Sequence, residues 1–66
     1  MNKQESKTEW QILYTVKELI QDGYRTEQCI LHTVSNTEDG AKSRLRELMR
    51  SYPNVVAHRI DEISRL

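Results

Sequence analysis

A single cysteine, Cys29, occurs in this chain of 66 residues, so the intramolecular disulfide that staples many small domains is excluded. A chain this short buries only about 60% of the surface its unfolded form exposes. With 36% hydrophobic and 30% charged residues, the core is thin. Support must come from a metal, a second subunit or close packing of a few elements. The same thinness argues against an enzyme, because a substrate pocket needs concave, supported walls. The composition therefore points to a non-enzymatic binding module with no cofactor and no small-molecule substrate.

Formal net charge is zero, yet the signs are segregated. Residues 1–39 carry four basic and seven acidic side chains, and residues 40–66 carry six basic and three acidic. The C-terminal part is thus the expected meeting place for an anion. No apolar run is long enough to span a membrane, and the charged start MNKQESK precedes no apolar leader segment. A cytoplasmic protein is expected, and the lone thiol fits a reducing compartment.

Local signals suggest three helices and a strand. Ser6-Lys7-Thr8-Glu9 has capping-box spacing, and Ile12, Leu13, Val16, Leu19 and Ile20 recur with helical periodicity up to Gly23. The spacing predicts a first helix over residues 7–22. Thr26-Glu27-Gln28 reads as the cap and acidic first turn of a short second helix, although the β-branched run through residues 28–35 also suits a strand. A third helix is expected at about residues 38–51, with Ala41, Leu45, Leu48 and Met49 on its inner face and Pro53 ending it. Val55–Ile60 reads as a short strand. Residues 1–6 are expected to form a flexible N-terminus, 7–62 a single domain and 63–66 a tail.

On the third helix Lys42, Arg46 and Arg50 follow one another at i, i+4 and i+8, with Ser43 alongside, as a basic ridge suited to phosphates and base edges. The order of elements, with a helix ending at Gly23, a Thr26-capped second helix, then Ser43-Arg44-Leu45-Arg46-Glu47-Leu48 and a strand, resembles the winged helix-turn-helix family. That resemblance implies a mainly α domain of three helices with a reduced wing. It also implies a small transcriptional regulator of phage or mobile-element type, inserting the third helix into the major groove of double-stranded DNA. Asn36, Thr37, Lys42, Ser43, Arg46, Arg50 and Arg59 are the DNA contacts it implies.

Trp10 and Tyr14 lie off the helical stripe and are expected to form a homodimer or partner interface. Cys29-x-x-His32 and His58 supply fewer ligands than a structural zinc site needs, so no metal is expected. The competing reading makes residues 28–35 a strand. The chain is then α+β, in the order α-β-α-β, and acts as a protein-binding adaptor or inhibitor whose sheet a partner completes.

Overall fold

The structure, a computed structural model, describes residues 7–66. Strand β1 (Thr8–Ile20) is followed by strand β2 (Gly23–Ser35), helix α1 (Glu38–Arg50) and strand β3 (Val55–Arg65). The strands form one antiparallel sheet in the order β2-β1-β3, so α1 carries the chain across one face between the two outer strands. The expected mainly α, three-helix domain is thereby corrected. The expected first helix is strand β1 with the turn at Gln21 and Asp22, the expected second helix falls within strand β2, and among the described residues α1 has no helical partners with which to form a winged helix-turn-helix. The Ser6 capping box and the expected flexible segment 1–6 lie outside the described residues.

The physical reason lies in a second periodicity within the same residues. Trp10, Ile12, Tyr14 and Val16 recur every two positions and are all buried, whereas Gln11, Leu13 and Thr15 between them are only partly covered. As a strand, β1 puts these four side chains on one face, which Ala41, Leu45 and Met49 of the helix and Leu31, Ile60 and Ile63 of the neighbouring strands complete, whereas the helical stripe would leave Trp10 and Tyr14 outside it. Gly23 marks a chain reversal in either reading. Its φ of 146° is closed to most residues with a Cβ, and it lets Gln21 and Asp22 close the β1–β2 hairpin.

Helix α1 lies within the expected third-helix span. The Thr37 hydroxyl caps it by accepting from the Gly40 amide at 3.0 Å, and Glu38 and Asp39 sit favourably in its first turn. Ala41, Leu45 and Met49 face the sheet and close over Trp10, Ile12, Tyr14 and Val16, with Ile12 and Leu45 fully buried. The Trp10 indole N–H donates to the Ser35 carbonyl at 3.0 Å, so the largest core side chain leaves no polar atom unpaired. Residues 63–65 continue β3, and Ile63 pairs with Ile12 and packs against the core.

A thirteen-residue strand spans about 43 Å, whereas a thirteen-residue helix spans about 20 Å, so α1 covers only part of the sheet. The sequence changes where the cover stops. Beside and just beyond Val16 the helix-side positions of the hairpin are Glu27, Glu18 and Arg25, and Arg25 pairs with Glu18 across the strands at 2.8 Å.

Candidate functional site

Backbone direction identifies the open surface. The Leu19 amide donates to the Asn54 carbonyl, and the Glu9 carbonyl accepts from the Leu66 amide, so the odd-numbered residues of β1 aim their backbone groups towards β3. The even-numbered residues therefore aim theirs towards β2. Residues opposite one another in an antiparallel pair either exchange both hydrogen bonds or neither. The pairs Trp10 with Thr33, Ile12 with Leu31, Tyr14 with Cys29 and Val16 with Glu27 are thus the bonded ones. The alternate residues of β2, namely Tyr24, Thr26, Gln28, Ile30, His32 and Val34, turn their N–H and C=O groups outward, to an edge that pairs with no other strand among the described residues.

The two edges of the sheet differ in protection. β3 pairs with β1 through two register shifts, at Leu13/Tyr14 and Lys17/Glu18, which interrupt its ladder, and it carries Arg59, Asp61, Glu62 and Arg65. β2 runs thirteen residues in unbroken register and contains neither proline nor lysine. Its charged residues, Arg25 and Glu27, lie near the hairpin, and residues 28–35 carry no Asp, Glu, Lys or Arg.

The sheet face away from α1 is also open. Leu13 and Ile30 oppose each other there, and Ile30 is 59% exposed. Beside them the first register shift makes Asp61 an extra residue on β3. Its carboxylate accepts from Thr15 Oγ1 at 2.6 Å, Gln28 Nε2 at 3.2 Å and Arg59 Nε at 2.8 Å. These donors, the Thr15 hydroxyl foremost, hold the Asp61 carboxyl down at about 2, below its ordinary 3.8. A depressed carboxylate contributes stability above its unfolded pKa and loses it as pH falls through the folded one. Asp61→Asn is therefore expected to lower stability at pH 7 and to flatten the loss of stability between about pH 4 and pH 2 in urea titrations. An unchanged acid limb would contradict this role for the three-donor network.

The sequence-predicted site residues come together only in part: Ser43, Arg46 and Arg50 line one depression on α1 together with Glu47, and the others lie apart from it. Asn36 and Thr37 precede α1, and Thr37 is occupied as its cap. Lys42 pairs with Glu38 at 3.4 Å, and Ser43 accepts from Arg46 Nη2 at 2.9 Å, while Arg50 stands exposed in the last turn. Arg59 is held by Asp61 on the opposite face of the sheet, separated from the ridge of α1 by the domain itself. Trp10 and Tyr14, expected at an interface, are core residues at 9% and 7% exposure. Burial raises the Tyr14 phenol above its usual 10, and neighbouring Cys29 adds to the shift. Cys29 and His32, three apart on a strand, point to opposite faces, and no metal-binding cluster occurs among the described residues.

Sequence reasoning missed the Asp61 network, and it reached the open edge of β2 only in the competing reading, in which residues 28–35 are a strand and a partner completes the sheet. The alternation of residues 24–34 carried a signal for the edge, since it suits a strand as well as a short helix. No local signal marks Asp61, whose three partners come from three strands. No known protein family, curated protein or solved structure matches this chain. No helix among the described residues is long and apolar enough to cross a membrane.

Proposed function

We propose that this protein is a non-enzymatic interaction module that binds an extended segment of a protein partner as an additional strand on the edge of β2. The observation that carries this reading is the contrast between the edges, one interrupted and charged, the other long, regular and open. In strand addition the backbone hydrogen bonds supply affinity, and alternate side chains of the incoming strand supply specificity. Ile30, Val34 and Tyr24 line one side of that track, and Cys29 and Leu31 line the other, beneath α1.

Proline at Thr26 tests the reading, because the Thr26 amide faces outward and bonds no strand of the sheet. Peptides selected from a random twelve-residue display library against the wild type are expected to alternate apolar and polar residues, and to bind Thr26→Pro at least about tenfold more weakly. Equal binding to both proteins would refute pairing at this edge.

A second reading, contact with duplex DNA through the outer face of α1, is favoured by a different observation. Arg44, Arg46 and Arg50 form no ion pair among the described residues, whereas Lys42 does. Salt-dependent duplex binding that survives Thr26→Pro and is lost in Arg46→Ala/Arg50→Ala would favour it over the first.

A further inference from the structure

The midpoint of β2 is Cys29, and Cys29 directs its backbone inward to Tyr14. A two-fold axis perpendicular to the sheet at that point would lay β2 of a second molecule antiparallel to the first over the whole strand. We infer that the occupant of the β2 edge is a second copy of this chain, joined by β2–β2 pairing centred on Cys29 into a continuous six-stranded sheet. This inference rests on the strand-addition reading and names its partner.

Three features make the edge complementary to itself in this register. First, the outward-bonding residues meet one another, Gln28 with Ile30 of the partner subunit, Thr26 with His32 of the partner subunit and Tyr24 with Val34 of the partner subunit. Each such pair exchanges two bonds, so about twelve backbone hydrogen bonds close the seam with no orphaned group. A centre displaced along the strand would leave part of either copy's edge unpaired. Second, the charges are compatible. Arg25 lies opposite Thr33 of the partner subunit and Glu27 opposite Leu31 of the partner subunit, so no like charges oppose. Tyr24 against a β-branched valine is a favourable cross-strand pair. Third, the axis preserves the two faces, placing both helices on one side and leaving both Asp61 networks on the other. The thin core of each subunit thereby gains the support its length calls for.

The same symmetry predicts a covalent reporter. Cys29 and Cys29 of the partner subunit form a non-hydrogen-bonded pair, in which Cα atoms are about 4.5 Å apart, within the range a disulfide spans. With diamide as oxidant, the two thiols lose two electrons and two protons to the reagent and form one S–S bond between subunits.

The experiment measures mass by sedimentation equilibrium up to about 100 µM, together with diamide cross-linking of the reduced full chain. The expected mass is twice the 7.8 kDa of the monomer. Thr26→Pro, verified as folded by circular dichroism, is expected to be monomeric, with at least about tenfold less cross-linked product. Amide hydrogen exchange provides a readout that needs no variant. The outward amides of Thr26, Gln28, Ile30 and His32 should be protected at high concentration and lose that protection on dilution. A monomeric wild type would overturn the second copy as occupant, leaving the edge itself to be judged by the peptide selection. A dimer that persists in Thr26→Pro, with unprotected outward amides and no Cys29 cross-link, would place the contact elsewhere and also overturn the inference.

Discussion

Leu45→Ala is expected to cost about 3 kcal/mol or more and to leave little folded protein at 37 °C. Leu45 is fully buried in the middle of the only helix among the described residues, where it packs with Ile12 and the aromatics of β1. Truncation removes the transfer energy of the side chain and opens a cavity that the rigid sheet beneath cannot collapse to fill. The effect is large because the total is small. A chain of this length has a stability of about 3–10 kcal/mol, so one core leucine is a substantial share of it. Urea unfolding followed by circular dichroism at fixed protein concentration provides the measurement, with Arg44→Ala on the exposed side of α1 expected to stay within about 0.5 kcal/mol of wild type. Similar losses for the two variants would show that the helix–sheet interface is not the main source of stability.

Proline at Leu31 is expected to abolish the fold, while proline at Thr26 leaves it standing. Both substitutions fall on β2, yet the Leu31 amide points inward and bonds to Ile12, and its side chain packs under α1, whereas the Thr26 amide points outward. Leu31→Pro removes a ladder bond between two strands, leaves a carbonyl unpaired and loses apolar burial, together about 4 kcal/mol or more. Thr26→Pro removes only an outward donor, which an edge strand tolerates. Thermal melts should show no cooperative transition for the first and a clear one for the second. Two equally damaged proteins would mean that the assignment of inward and outward amides along β2 is wrong, and with it the open edge.

The contrast between α1 and β1 shows where local information ends. Thr37, the acidic pair after it, Ala41, Leu45 and Met49 at helical spacing, and Pro53 beyond all act within one or two turns, so the helix at Glu38–Arg50 was readable from neighbouring residues alone. Val55–Ile60 was readable for a similar reason, since its β-branched residues follow a proline-marked turn. In β1, by contrast, Ile12 and Val16 belong to two patterns at once. With Leu19 and Ile20 they form a helical stripe, and with Trp10 and Tyr14 they form one face of a strand. Nothing within residues 8–20 ranks one above the other.

The ridge of Lys42, Arg46 and Arg50 on α1 was likewise visible in the sequence, but its relation to Arg59 was not, because that depends on which face of the sheet β3 turns outward. Composition and length by themselves determined a thin, disulfide-free core, and local sequence determined the capped helix and a chain break at Gly23, read there as a helix C-cap, because caps and glycine conformations depend on short-range sterics and hydrogen bonding. Tertiary structure decided that residues 8–35 form a hairpin, that Trp10 and Tyr14 belong to the core, and that β2 keeps an open edge. A strand's backbone bonds are made to residues distant in sequence. The choice between helix and strand for β1 therefore rests on Leu31, Cys29, Ile60, Ile63 and Leu45, which complete the face that its period-two pattern presents.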